Sequence, residues 1–396
     1  MVDAIRNAPW LTFFPDNYLW SFNAAMEMSL ARAGGSDPGE VDRVIRALEG
    51  DTGDNMRWYA EWKAMGDQVL AIAGKAESEG RALSASAAYK RASNYYFAAE
   101  RFYFPKDEES SATYRQVVEC FRRATDLDPR VRVEHVDIAY EGSSLPAFFV
   151  PAPGAAEHPA PVVIFMNGFD GNKEMNWYLA TEELLARGIS VLALDSPGVG
   201  EAIRFRDIPL RHDYEVAASA ALDWLESRSD VDSDRIGVMA LSLGGYYAAR
   251  SASMEHRLKA CVSWGAIWDY HRIWRERIEA AFAKQLPVPG AHLVWSTGTT
   301  STDEALGVLE GFRLDGVIQQ MRCPFLLVHG EDDQQVPVAD AHAMFEACGS
   351  EDKTIRVFSN EEGGAQHCHI DNLSIAVPFI TDWLASKLGG SVSGRA

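Results

Sequence analysis

The sequence has few cysteines, and none of them has the spacing of a structural framework. Five cysteines are scattered over 396 residues without a Cys-x-x-Cys pair. This excludes a disulfide scaffold and gives no zinc-site pattern, so we expect reduced thiols and no bound metal. No other motif calls for a cofactor, and we expect none.

The sequence also lacks a hydrophobic run of about 18 residues, the length that a membrane-spanning helix needs. Its first residues do not have the basic-then-apolar order of a signal peptide. Basic residues are scarce, with 37 Lys and Arg against 57 Asp and Glu and a net charge of -20. Such a surface repels phosphate backbones and anionic lipids. We therefore expect a cytoplasmic protein that binds neither nucleic acid nor membrane.

Residues 1 to about 125 lack the alternation of strands and predict helices. Apolar residues recur at helical spacing between Trp58 and Ile72, and Gly80 separates them from a second helix over 82–102. The two predict a helical hairpin. Aromatic residues are dense in this region, and we expect most of them to form packing core and a few to line a substrate site.

From Val131 the pattern changes to that of strands. Alternation up to Val150, broken by a turn at 141–143, predicts an antiparallel hairpin. Short apolar runs then alternate with helical segments, which is typical of an α/β protein with a doubly wound, mainly parallel sheet. In such sheets ligands bind beyond the carboxyl ends of the strands. The runs are Val162–Met166, Val191–Leu194, Arg235–Leu241, Ala260–Trp264, Phe325–Val328 and Ile355–Phe358.

The third of these runs ends at Ser242, which is followed by small residues and a predicted helix. A strand, a serine in a sharp turn and a helix form the layout of a nucleophile elbow. The consensus is Gly-x-Ser-x-Gly, and here Ala240 replaces the first glycine. Alanine crowds the turn slightly without forbidding it. The alternative interpretation is that Ser242 only caps the following helix.

A serine nucleophile needs a base, and the base needs a carboxylate that orients it. Asp333 follows the fifth run, and His367 follows the last one. Asp332 comes one residue too early and would point elsewhere. The alternatives are that Asp333 is a solvated loop carboxylate and that His369 is the base.

Attack on a carbonyl creates an oxyanion, which backbone N–H groups stabilise. The N–H of Leu243, directly after the serine, is one predicted donor. The second should come from the loop after the first run, from Phe169 or alternatively from Gly168.

Residues 81–96, 168–174, 195–201, 242–250 and 364–368 together resemble one known group of proteins. These are the α/β-hydrolases that include 2,6-dihydroxypseudooxynicotine hydrolase, FrsA-like esterases and fungal polyketide-shortening hydrolases. The sequence departs from the group at Ala240 and at Ser196, where glycine is common.

The resemblance implies an α/β-hydrolase fold with a helical N-terminal cap domain at 1–125. The catalytic domain would cover 126–396 and contain a helical insertion at about 268–320. The resemblance also implies Ser242, Asp333 and His367 as catalytic triad, a homodimer, and a chemistry that admits carbon–carbon hydrolysis.

Carbon–carbon hydrolysis creates a carbanion that must be protonated. Glu201, Asp269 and Glu276 are candidates for this proton donor or for a substrate contact; the alternative is that each is a surface or ion-pair carboxylate. The aromatic residues of the insertion suggest a bulky, aromatic carbonyl substrate.

Three functions fit the sequence. The first is hydrolysis of the carbon–carbon bond of a β-diketone or aryl ketone, and the second is hydrolysis of a bulky aromatic ester. The third is a non-catalytic, hydrolase-fold protein that binds or senses a small molecule. A serine, an acid and a histidine in this order argue against the third, because a binding protein has no need of such a set.

Overall fold

The computed structural model describes residues 12–283 and 290–391, and the chain divides into two units. The first unit runs up to Val133 and includes 177–179 and 370–373; the remaining residues form the second. Residues 1–11 of the predicted N-terminal domain and 284–289 of the predicted insertion lie outside the described residues. The role of the N-terminal domain as a cap stays a prediction.

The first unit is built from helices, with a short 3-10 helix, Ala31–Ala33, after the first of them. The helices are α1 Tyr18–Leu30, α2 Pro38–Ala47, α3 Asn55–Ser78, α4 Ala82–Arg101 and α5 Glu108–Asp126.

Helices α3 and α4 form the predicted helical hairpin, which is confirmed. Gly80 takes a φ of 74° in the turn between them, a backbone region that favours glycine. The indole N–H of Trp58 donates to the Ala98 carbonyl at 2.8 Å. Gly66 faces the ring of Tyr96, where an added Cβ would lie 3.0 Å from ring atoms. Apart from the half-buried Tyr89, the aromatic side chains of these two helices are buried and serve as packing core, as predicted for most of them.

The second unit contains one eight-stranded sheet with the order β1-β2-β4-β3-β5-β6-β7-β8. Strands β1 and β2 pair antiparallel with each other, and β2 pairs antiparallel with β4, whereas the six strands β3 to β8 are mutually parallel. The predicted doubly wound, mainly parallel sheet is confirmed. The strands are β1 Glu134–Tyr140, β2 Ser143–Val150, β3 Ala160–Met166, β4 Ser190–Leu194, β5 Val231–Leu241, β6 Ala260–Trp264, β7 Phe325–Gly330 and β8 Lys353–Phe358.

The predicted hairpin is formed by β1 and β2, which are joined by the two residues Glu141 and Gly142. Both have positive φ, 42° and 82°. Two consecutive positive values are what a tight two-residue hairpin turn requires, because that turn matches the twist of the strands.

Strands β3, β4, β6 and β7 are buried along their whole length. This is expected of a parallel sheet that is covered on both faces, and it leaves the strand ends as the places for polar chemistry. The helices that follow β3 along the chain are α6 Lys173–Asn176, α7 Glu182–Leu185, α8 Gly200–Arg206, α9 Glu215–Glu226, α10 Leu243–Met254, α11 Tyr270–Ala283, α12 Ala291–Ser296, α13 Thr302–Leu309, α14 Val338–Ala347 and α15 Leu373–Leu388.

Shorter helical turns complete the chain: a π-helix at Trp177–Thr181 and 3-10 turns at Ile318–Gln320 and His367–His369. Helices α11, α12 and α13 lie between β6 and β7, in the predicted insertion. None of the helices in the described ranges combines the length and the apolar character that crossing a lipid bilayer requires.

Candidate active site

Ser242 lies in a sharp turn between β5 and α10. Its backbone has φ 60° and ψ -126°, a conformation that costs a non-glycine residue about 1–3 kcal/mol. The turn is held because the Ser242 N–H donates to the Trp264 carbonyl and its own carbonyl accepts from the Gly245 N–H, both at 2.8 Å. The side chain makes no capping bond to α10. The geometry is that of a nucleophile elbow and not of a plain helix cap.

The close packing of this elbow explains how it accommodates Ala240. A Cβ added at Gly244 would lie 2.7 Å from the Ala240 Cβ, so the alanine fits because position 244 has no side chain. Gly168 passes equally close on the other side, where an added Cβ would lie 2.8 Å from the Ser242 Cβ. The expected slight crowding by alanine is therefore relieved by a glycine that the elbow already contains.

His367 and Asp333 continue from Ser242 in a chain of hydrogen bonds. The Ser242 Oγ lies 2.8 Å from His367 Nε2, and His367 Nδ1 lies 2.7 Å from Asp333 Oδ2. The other carboxylate oxygen of Asp333 accepts from the backbone N–H groups of Gln335, at 2.8 Å, and Val336, at 2.9 Å. Asp333 and His367 are buried, whereas Ser242 is partly exposed. A base, an orienting acid and an accessible hydroxyl thus stand in line.

The buried side chains of His367 and Asp333 shift each other's pKa. Burial opposes the charged form of His367, but the neighbouring Asp333 carboxylate outweighs it and holds the pKa of His367 well above its usual range. Burial would by itself raise the pKa of Asp333, whereas His367 and the backbone donors keep the pKa of this carboxyl below its usual range. Asp333 is therefore an anion at neutral pH and favours a proton on His367.

The two alternative residues have other partners. His369 Nδ1 accepts from the indole N–H of Trp264 at 2.9 Å, and burial lowers the pKa of His369 to about 3, so its ring is neutral. Asp332 accepts from the side-chain amides of Gln334 at 2.8 Å and Gln366 at 3.1 Å. Of the competing residues, the structure brings His367 and Asp333 to the serine; their catalytic roles remain predictions.

The raised pKa of His367 predicts how the reaction depends on pH. A protonated His367 cannot accept the Ser242 proton, so the rate falls as pH decreases through that pKa. Because Asp333 holds this pKa above the ordinary histidine value of about 6.5, we expect the acid limb of the labelling rate of Ser242 by a fluorophosphonate to lie above pH 6.5. His369→Ala should leave the limb in place, since that ring stays neutral. A limb at or below pH 6.5 would contradict the assignment of His367.

The two predicted oxyanion donors lie beside the elbow. Within residues 12–283 and 290–391, neither the Phe169 N–H nor the Leu243 N–H donates to another protein group. The alternative donor, the Gly168 N–H, is occupied by the Asn167 side chain at 2.7 Å. The structure thus leaves the Phe169 N–H available and the Gly168 N–H engaged. The oxyanion role of Phe169 and Leu243 stays a prediction.

The three candidate proton donors are engaged in ion pairs and caps. Glu201 accepts from the buried Lys173 ammonium at 2.6 Å. Asp269 accepts from the Arg272 N–H at 2.9 Å at the start of α11, and Glu276 pairs with the Arg272 side chain at 3.0 Å. Glu276 is exposed. These contacts match the ion-pair alternative; a role in catalysis stays a prediction for all three.

Aromatic rings surround the side chain of Phe169. The rings of Tyr270 and Trp274 lie edge-on to it at 5.9 and 5.8 Å between centroids. His292 lies closer, at 4.7 Å, and its Nε2 is 3.3 Å from the Phe169 carbonyl oxygen. The sequence did not predict that His292 lies beside Phe169, because a single histidine on a short helix belongs to no motif with a recognisable spacing. It also missed Lys173, although a lysine and three acids after neighbouring strands were a usable signal.

The chain is similar to several known proteins. A family model described as "Esterase FrsA-like" matches residues 33–356. The hydrolase acrC of Aspergillus aculeatus is 28% identical over 94% of this chain and 97% of its own length. The alpha/beta hydrolase xenA of Xenoacremonium sinensis is 34% identical over 69% of this chain and 65% of its own length. The crystal structure of the 2,6-dihydroxy-pseudo-oxynicotine hydrolase has a TM-score of 0.76 and 25% identity, covering 91% of this chain and 95% of that one.

Proposed function

The chain belongs to the FrsA-like esterase family and has the α/β-hydrolase fold, and we propose that it is a serine hydrolase that cleaves a carbon–carbon bond next to a ketone. One observation carries the serine chemistry. Ser242 Oγ lies 2.8 Å from one ring nitrogen of His367, and the other ring nitrogen lies 2.7 Å from the carboxylate of the buried Asp333. Support for cleavage of a carbon–carbon bond comes from the resemblance of the sequence motifs.

The first step is attack on the ketone. The Ser242 oxygen forms a bond to the carbonyl carbon while its proton moves to His367 Nε2. Asp333 stabilises the resulting imidazolium and keeps its ring oriented. The carbonyl oxygen becomes an oxyanion, which the backbone N–H groups of Leu243 and Phe169 would stabilise.

The second step breaks the bond between the carbonyl carbon and its neighbour. The electron pair stays on the leaving carbon, which must be stabilised as an enolate or as part of an electron-rich ring. The imidazolium of His367 gives its proton to that fragment, and water then hydrolyses the acyl-serine to a carboxylic acid. The protons balance with His367 alone, so Glu201, Asp269 and Glu276 are secondary candidates for this transfer.

Hydrolysis of a bulky aromatic ester is the second candidate. The description of the matching family model as an esterase favours it. The same residues would act, and the leaving group would be an alkoxide or phenoxide, which needs no enolate stabilisation. A non-catalytic binding protein fits less well, because it has no use for a serine hydroxyl hydrogen-bonded to a buried base.

The proposed substrate is a small aromatic carbonyl compound. The rings of Tyr270 and Trp274 lie edge-on to the ring of Phe169, the residue that supplies one predicted oxyanion donor. Aromatic ligands gain from such packing beyond the burial of their area alone. A cytoplasmic location and a homodimer remain predictions from the sequence and from the resemblance.

Matched substrates would distinguish the two reactions. We expect 1-phenyl-1,3-butanedione to be cleaved with a kcat/KM about tenfold or more above that of phenyl acetate, with acid and ketone products identified by chromatography. Ser242→Ala is the control for uncatalysed breakdown. Preference for the ester would reassign the protein as a carboxylesterase, and turnover of neither by an enzyme whose Ser242 is reactive would refute the proposed substrate class.

A further inference from the structure

A buried ion cluster lies at the carboxyl ends of β3 and β4. The Lys173 ammonium donates to Glu174 Oε1 at 2.7 Å and to Asp195 Oδ2 at 3.0 Å. It also donates to Glu201 Oε1 at 2.6 Å. All four side chains are more than nine-tenths buried. One cation thus faces three carboxylates out of water, and Glu174 Oε2 has no hydrogen-bond partner in the described part of the chain.

Stabilisation of the fold does not by itself explain the cluster. Removing charges from water costs several kcal/mol each, and apolar side chains of similar volume stabilise a fold as well or better. Burial, opposed by Lys173 and reinforced by the nearby carboxylates, raises the pKa of Glu174 to about 7. The cluster thus keeps Glu174 in surroundings that disfavour its anion. We therefore look for the role of the cluster in the backbone segments that it holds in place.

Asp195 connects three backbone segments through one carboxylate. Its Oδ1 accepts from the Lys173 N–H at 2.7 Å, and its Oδ2 accepts from the Glu201 N–H at 2.9 Å in addition to the lysine ammonium. Gly200 makes room for this arrangement, because a Cβ there would lie 2.1 Å from the carboxylate. Asp195 thereby ties the end of β4 to the starts of α6 and α8.

The start of α6 in turn holds the loop between β3 and α6, on which Phe169 lies. The Asn167 side chain donates to the Asn172 carbonyl at 2.9 Å and to the Asn176 side chain at 2.6 Å. The first bond joins the loop to the residue just before α6, and the second joins it to the last residue of α6, whose first residue is Lys173. The conformation of the loop therefore depends on where Lys173 is fixed.

We propose that Asp195 is a positioning residue that, through Lys173, fixes the Phe169 N–H for the oxyanion. The inference rests on the proposed serine chemistry and not on which bond is cleaved. A misplaced N–H donor reduces the stabilisation of the transition state more than the binding of the substrate. A misplacement of about 1 Å lowers the rate by up to about 100-fold. The cluster therefore acts on the chemical step and leaves binding of the ground state unchanged.

Asp195→Asn in the full chain tests this role. Asparagine has nearly the same volume as aspartate. Its amide N–H₂ would replace a carboxylate oxygen that accepts hydrogen bonds from Lys173 and Glu201, so an acceptor becomes a donor. We expect the second-order rate constant for fluorophosphonate labelling of Ser242 to fall about 10- to 100-fold. The affinity for an aryl trifluoromethyl ketone, which forms an oxyanion with a serine, should fall by the same factor. The affinity for the corresponding alcohol, which forms none, should not change.

Asp128→Asn is the matched control for lost stability. Asp128 is a buried aspartate of the first unit, bonded to the Arg130 guanidinium at 2.8 and 2.7 Å. This variant should lower the melting temperature while leaving the labelling rate of the folded protein unchanged. If Asp195→Asn does not fold, Glu201→Gln takes its place, because it keeps an oxygen for Lys173 and removes one charge, and a several-fold slower labelling is expected.

Two results would overturn the positioning role. One is labelling of the folded Asp195→Asn variant, or of its substitute, at the wild-type rate. The other is an equal loss of affinity for the ketone and the alcohol, which would indicate a damaged binding site. Failure of the wild-type protein to be labelled would instead refute the serine chemistry itself.

Discussion

Replacing Ser242 by alanine should lower kcat by about 10⁴- to 10⁶-fold, because it removes the hydroxyl that lies 2.8 Å from His367 Nε2. The variant should stay folded, since alanine adds no atoms and the side chain makes no bond to α10. The measurement is steady-state turnover of the most active compound among the matched β-diketones and esters. Residual activity would then come from the oxyanion donors and from substrate binding.

Ser253→Ala is the control for this prediction. Ser253 lies on the same helix, and its hydroxyl donates to the Ala249 carbonyl at 2.7 Å, so its loss should leave kcat near the wild-type value. A Ser242→Ala variant that retains more than about one per cent of wild-type kcat would remove the serine from the mechanism.

The second large effect separates the two neighbouring histidines. His367→Ala should lower kcat by about 10⁴- to 10⁶-fold, because it removes the nitrogen that lies 2.8 Å from Ser242 Oγ. His369→Ala should retain most of the activity, since that ring contacts Trp264 and stays neutral. Turnover of both purified variants, compared at equal folded concentration, provides the test. The reverse pattern would assign the base to His369.

His369→Ala leaves a buried cavity, so its stability needs a separate measurement. The loss of a buried ring should lower the free energy of unfolding by about 2–4 kcal/mol without changing the kcat of the folded protein. The Trp264 indole N–H keeps the Cys368 carbonyl, at 3.2 Å, as an acceptor. Thermal melting beside the kinetic assay distinguishes a less stable enzyme from an inactive one.

The order of strands and helices could be predicted because each strand is a short apolar run and each turn has a recognisable break. Ser242, Asp333 and His367 could be proposed because each follows a different strand at the same edge of a parallel sheet. The choice between His367 and His369 depends on backbone conformation. Cys368 and His369 both have positive φ, so the chain turns sharply after His367, and sequence spacing does not reveal such a turn.

Two features of the site depend on packing that the sequence pattern does not contain. Ala240 could be judged only by its distance to the position of Gly244. The partner of Glu201 could be found only from strand order: β3 and β4 are neighbours, so Lys173 and Glu201, 28 positions apart, meet. The sequence makes Glu201 a candidate proton donor because it shows a glutamate near a strand end and does not show the ion pair with Lys173.

The most direct test of the account is covalent labelling of the full-length protein by a fluorophosphonate, followed by intact-mass and peptide analysis. The account predicts one adduct per chain, on Ser242, and no adduct in Ser242→Ala. His367→Ala should be labelled slowly, and His369→Ala at close to the wild-type rate. An unlabelled wild-type protein, or an adduct that persists at full stoichiometry in Ser242→Ala, would contradict the assignment of Ser242 as the nucleophile.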